Sequence, residues 1–140
     1  MPAQNAEEPE KSSETPQERN INNQTCLRLR LAGMKLGIVV STNDAEEVWN
    51  AFRFGNVGLK ANHTVKVFLV NKGVEAEDIK SERFPVAEQL RLFVESKGEI
   101  LACGTCLKAR QKEGTDFCPI STMADLLKLV EESDKIVSFG

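Results

Sequence analysis

Residues 34 to 140 predict a three-layer α/β/α domain built on a mostly parallel sheet of about five strands. Short apolar runs recur along the chain as "MKLGIVVS", "TVKVFLV", "EILAC" and "KIVSF". Longer stretches between them carry apolar residues at helical spacing. Strands that alternate with helical patterns are the mark of βαβ units, whose crossover helices cover both faces of a parallel sheet.

The first strand, from Met34, is near-continuously apolar, as a strand covered on both faces must be. "TNDAEEVWNAFRFGNVGLK" then changes period, with Ala45, Val48, Trp49 and Phe52 on one helical face. Thr42, Asn43 and Asp44 offer a cap, and Glu46 and Glu47 suit the positive end of the helix dipole. Thr64 to Val70 is the second strand, broken by "NKGV". A helix follows from Pro85 to Lys97, with Val86, Leu90, Phe93 and Val94 together and Gly98 as its stop. Glu99 to Cys103 is the third core strand, and "GTCLKAR" opens the next helix. Thr122 and Asp125 form a capping-box pattern ahead of Leu126, Leu127, Leu129 and Val130, and Lys135 to Phe139 is the last strand.

Residues 1 to 33 read as a polar N-terminal extension. Up to about residue 24 they hold too few large apolar groups to offset the entropy of ordering, and disorder is expected there. Cys26 to Leu31 alternates strictly, which predicts an edge strand.

Formal net charge is −3 and the cationic residues are scattered, which argues against nucleic acid as a partner. No apolar run approaches the roughly 18 to 20 residues that span a bilayer, so no membrane association is expected. The acidic start lacks the basic end and apolar stretch of a secretory signal. The expected compartment is the cytoplasm, where thiols stay reduced. Cys26, Cys103, Cys106 and Cys118 are then not a disulfide framework, and the cluster from 103 to 118 points to chemistry.

Cys103 sits where a strand ends and a helix begins. In open parallel sheets reactive groups gather at the carboxyl ends of strands, and a helix start favours a thiolate. Arg110 lies seven residues on, on the same helical face. If the last strand is parallel to the others, the helix from about Thr122 must start at this same edge. Cys118 is therefore expected near Cys103 and Cys106. Ser41 and Asn43, after the first strand, reach that edge too, and with Gly104, Thr105 and Arg110 they complete a candidate binding set. Capping explains Ser41 and Asn43 equally well. Glu75, Glu77 and Asp78 read as solvated surface, and Trp49 and Phe52 as core.

Four readings fit the cysteines. They are core residues, zinc ligands, a redox dithiol or a sulfur carrier. Structural zinc calls for four closed ligands, but the second cysteine pair is missing and His63 in "ANHT" reads as a turn residue. No metal and no other cofactor is expected. A CxxC at a helix start suits dithiol exchange, although two full βα units precede it and Ala102, not an aromatic, stands before Cys103. A sulfur carrier needs one nucleophilic thiolate that takes the outer sulfur of a persulfide and passes it on. The exposure of Cys103 discriminates: burial favours a structural role, and exposure with a close second thiol permits exchange.

"MKLGIVVSTNDAEEVWNAFRFGNVGLK", "VKVFLVNKGV", "GEILACGTCLKAR" and "CPISTMADLLKLVEESDKIVSFG" together resemble the DsrE/DsrF-like proteins, the group that includes TusD-type sulfur-relay subunits. The resemblance runs from Met34 to Gly140. It implies a small parallel α/β domain, often a trimer or hexamer or part of a related hetero-oligomer, and a cysteine that carries sulfur as a persulfide between donor and acceptor proteins. That cysteine matches Cys103, and Arg110 matches the basic position of the next helix. Cys106 and Cys118 are additions that many relay subunits lack. They are candidate resolving or accepting thiols. A sulfurtransferase, a CxxC oxidoreductase and a non-enzymatic assembly subunit with structural cysteines all stay open at this point.

Overall fold

The structure, a computed structural model, describes residues 33–140. The expected disordered start, the strand expected at Cys26 to Leu31 and Cys26 itself lie outside the described residues. Strands β1 (Lys35–Val40), β2 (Thr64–Leu69), β3 (Glu99–Cys103), β4 (Ile120–Ser121) and β5 (Lys135–Phe139) form one sheet in the order β4-β3-β2-β1-β5. All neighbouring pairs are parallel. Helices α1 (Ala45–Lys60), α2 (Val86–Glu95), α3 (Gly104–Ala109) and α4 (Met123–Glu132) connect the strands, and a 3-10 segment (Asn71–Asp78) follows β2. The expected parallel α/β/α architecture is therefore present. β4 carries no sequence signal, because two residues between Pro119 and Thr122 are too few to show a period.

Strand alternation sends neighbouring residues of β1 to opposite faces. Leu36, Ile38 and Val40 lie on one face beside Val65, Val67 and Leu69 of β2. A Cβ added at Gly55 of α1 would stand 2.9 Å from the Phe93 ring of α2 and 3.4 Å from Ile38, so both helices cover this face closely. Phe52 and Phe93 meet edge to face with centroids 5.6 Å apart. With Phe68 they are completely buried, and each such side chain contributes about 1.5–3 kcal/mol by leaving water.

The other face is thinner. A Cβ at Gly37 would meet Ile136 at 2.5 Å and Leu129 at 3.5 Å, which places α4 over β1 and β5. Leu129 is the buried residue of α4, whereas Met123, Leu127 and Val130 are exposed. Beyond α4 the face carries the Lys66–Glu99 ion pair at 3.3 Å. The predicted capping box is formed: Thr122 accepts from the Asp125 N–H, and the Asp125 carboxylate accepts from the Thr122 N–H at 3.0 Å.

The 3-10 segment is pinned where β1 ends. A Cβ at Gly73 would stand 2.1 Å from the Val40 carbonyl oxygen, so only glycine permits this approach. Asn71 enters the segment with φ 54°, a left-handed conformation that asparagine tolerates. These two residues set where the segment's N–H groups and carboxylates point.

Candidate functional site

β3 delivers Cys103 to the carboxyl edge of the sheet, where it caps the start of α3. The residue is 2% exposed, with Ser121 as its neighbour on β4 and buried Leu107 one turn further along α3. A Cβ at Gly104 would lie 3.1 Å from both Ile120 Cγ1 and the Ser121 carbonyl oxygen, so the start of α3 is pressed against β4. Cys106, in the first turn of α3, is half-buried, and Thr105 between them is exposed. The two thiols are neighbours, three positions apart at the cap and in the first turn of α3.

Two groups face Cys106 from outside the pair. The Asn71 N–H donates to its Sγ at 3.2 Å. Arg110, one turn on, donates through Nη1 to the Cys106 carbonyl at 3.1 Å and through Nε to Glu75 Oε1 at 3.1 Å. Asn43 Nδ2 donates to Glu75 Oε2 at 2.8 Å. A polar chain thus runs from the β1–α1 loop across the 3-10 segment to α3. The Asn43 hydrogen bond, followed by the Arg110 and Lys112 cations, holds the Glu75 carboxyl below its ordinary range. Burial pushes the Cys106 thiol up, with help from the Cys103 thiol, while the Asn71 N–H and the Arg110 charge work against that rise.

Cys118 meets a different partner. The chain does return to the thiol edge, because β4 pairs Ile120 with Ala102 and Ser121 with Cys103. The Cys118 side chain, however, is buried against Glu77. Burial raises its pKa strongly, and the Glu77 carboxylate adds to the rise. Its N–H donates to Thr115 Oγ1 at 3.1 Å, and that hydroxyl donates to Glu77.

The remaining predicted residues separate as well. Asn43 joins the site through Glu75, but Ser41 turns to the chain end, where its Oγ donates to the Phe139 and Gly140 carbonyls at 3.4 and 3.3 Å. His63 accepts from the Met34 N–H through Nδ1 at 3.0 Å, which places it at the amino edge of β1 and β2, opposite the thiols. Glu75, Glu77 and Asp78 are not the purely solvated surface expected of them. They reach Arg110, Thr115 and Lys112 respectively and fasten the 3-10 segment to the β3–β4 connection. Partners 34 to 38 positions apart leave no local trace in the sequence.

A pair of neighbouring thiols at the carboxyl edge of an all-parallel α/β domain is suited to thiol and sulfur exchange. This defines a class of small, thiol-bearing α/β domains. The chain belongs to the DsrE/DsrF-like family, whose model matches residues 34–139. It is similar to an uncharacterized protein of Methanopyrus kandleri, 34% identical over 100 residues that cover 67% of this chain and 83% of the relative. A second uncharacterized protein, from Methanocaldococcus jannaschii, is 33% identical over 100 residues, covering 67% and 88% respectively. The family carries a sulfur-relay theme, and among the described residues no helix is long and apolar enough to cross a membrane.

Proposed function

We propose that this protein traffics sulfur in the cytoplasm, accepting and passing on a sulfur atom as a persulfide on Cys103. The observation that carries this reading is the thiol pair: Cys103 at the strand end is followed, three positions on in the same helix start, by half-buried Cys106, beside the Asn71 N–H and the Arg110 cation. Thiol exchange needs a thiolate and an exit path; the Asn71 N–H and the Arg110 charge favour the one against the effect of burial and the Cys103 thiol, and the partial exposure of Cys106 provides the other. Sulfur would reach buried Cys103 past Cys106. The partners are a donor and an acceptor protein and further copies of this chain or of related subunits. The assembly is a trimer, a hexamer or a hetero-oligomer.

The test is brief exposure of the reduced protein to a low-molecular-weight persulfide, an alkylating quench, and mapping of the added sulfur by mass. One sulfur on Cys103, absent from Cys103→Ser, is expected. Unchanged uptake in that variant would remove Cys103 from its role. The 2% exposure of Cys103 favours a second reading, an assembly subunit with structural cysteines, and that reading expects no sulfur on either thiol.

A further inference from the structure

We propose that, when no acceptor is present, the Cys103–Cys106 pair discharges its sulfur as hydrosulfide and closes to a disulfide, making the site a persulfide reductase that depends on an external dithiol. This rests on the sulfur-carrying reading and extends it to a second fate for the bound atom.

The geometry points to it because of which sulfur the two thiols present to each other. In a persulfide the inner sulfur is the cysteine's own Sγ and the outer sulfur extends beyond it. Cys103 caps α3 and Cys106 lies three positions on in its first turn, so the two Sγ atoms are neighbours and Cys106 lies within reach of the inner atom of a persulfide on Cys103. Attack there forms the Cys103–Cys106 bond and breaks the bond to the outer sulfur, which leaves with the electron pair as HS⁻. The proton of Cys106 goes to solvent. The sulfane sulfur gains two electrons and the two thiols lose them, so the step consumes no further oxidant or reductant. Loading on Cys106 instead, with attack by Cys103, gives the same products.

Three features serve this step. The thiols stand three positions apart, at the cap and in the first turn of α3, so they share a helix face. The Asn71 N–H at 3.2 Å and the Arg110 guanidinium favour the attacking thiolate of Cys106. Hydrosulfide is a better leaving group than an alkyl thiolate, since the more acidic thiol leaves faster. Reopening requires a dithiol, and exposure decides where that dithiol strikes: half-buried Cys106 takes the mixed disulfide and Cys103 departs. The order is the reverse of the thioredoxin-type arrangement, in which the first cysteine of the motif is the exposed one.

The experiment uses the full, reduced chain, a stoichiometric low-molecular-weight persulfide, a sulfide assay and peptide mapping, with Cys106→Ala in parallel. The expected result is one hydrosulfide per chain, loss of two hydrogens mapped to a 103–106 disulfide, and a second burst after dithiothreitol is added and removed. Cys106→Ala, which lacks the attacking sulfur, is expected to release no hydrosulfide and to form no 103–106 disulfide. A wild-type protein that keeps its added sulfur with both thiols reduced would overturn the discharge step and leave the carrier reading standing. Sulfide release with the disulfide mapped to Cys118 overturns the assignment to this pair. No uptake and no sulfide from either protein would overturn both. The decision rests on the wild-type chain and a half-buried position, so instability of a Cys103 variant does not affect it.

Discussion

The two ends of the 3-10 segment treat the thiols beside them in opposite ways. At its start, Asn71 turns an N–H toward Cys106, and the Arg110 cation stands one turn away. Near its end, Glu77 sets a carboxylate against Cys118. Burial raises both pKa values, yet the Asn71 N–H and the Arg110 charge oppose that rise at Cys106, where the Cys103 thiol adds to it, while Glu77 reinforces it at Cys118. Eight residues of backbone thus give two cysteines different polar surroundings. Proximity to one sheet edge does not give two thiols the same surroundings: the charge nearest each has the opposite sign.

The sharpest way to break this contrast is to compare the two thiols directly. Cys106 is expected to alkylate on the order of 100-fold faster than Cys118 in the native chain, because burial and a carboxylate both suppress the Cys118 thiolate. Site-resolved mass spectrometry of a labelling time course measures it, and equal rates would sink the distinction. Labelling of Cys106 itself is expected to keep accelerating as pH rises past the ordinary thiol range, since its pKa is raised. A plateau below pH 8 would contradict that direction.

Next in size is Gly73→Ala. The new methyl group would collide with the Val40 carbonyl and displace the segment that serves both thiols. Such overpacking costs about 1–3 kcal/mol. Urea unfolding should show the loss, and the labelling rates of Cys106 and Cys118 should move toward each other. Unaltered stability would mean that the segment is not held where β1 ends.

Smaller shifts are expected from single charges. Glu77→Gln removes the carboxylate that raises the Cys118 pKa, so labelling of Cys118 above pH 9 should rise by up to about tenfold, the equivalent of one pKa unit. Arg110→Met should raise the Cys106 pKa further and slow its labelling at pH 8 by a few-fold, on the order of 2- to 5-fold. A change in the opposite direction at either site would reverse the assigned electrostatics.

The smallest effect is on stability against pH. Cys106 and Cys118 hold their protons more tightly folded than unfolded. Their contribution is therefore complete below the unfolded thiol pKa of about 8.5 and is lost as pH rises from there toward the folded values. Glu75 and Asp125 have lowered folded pKa values, so theirs is present above about pH 4 and is lost below it. Chemical denaturation across pH should show declines on both sides, the alkaline one reduced in Cys118→Ala.

Much of the scaffold was legible in the chain because its signals are local. The apolar runs of β1, β2, β3 and β5, the helical spacing of Val48 and Phe52, and the box of Thr122 and Asp125 all lie within one element. The position of Cys103 at a strand end was legible for the same reason. Its burial was not, since that depends on Leu107 and on β4, whose docking beside β3 follows from an irregular connection. Nor could the Asn43–Glu75–Arg110 chain be read, because it joins three elements through polar side chains whose neighbours in sequence suggest only solvent.

β4 has a consequence for how the sheet meets other chains. At one border it offers two paired residues after a proline that has no N–H to give, while its carbonyl already accepts from Ala102. At the other border β5 runs five residues with an open side. Among the described residues, the sheet is therefore terminated on the flank that carries the thiols and extensible on the opposite one. Edge-to-edge association would lengthen it through β5 and leave the flank that carries the thiols unobstructed.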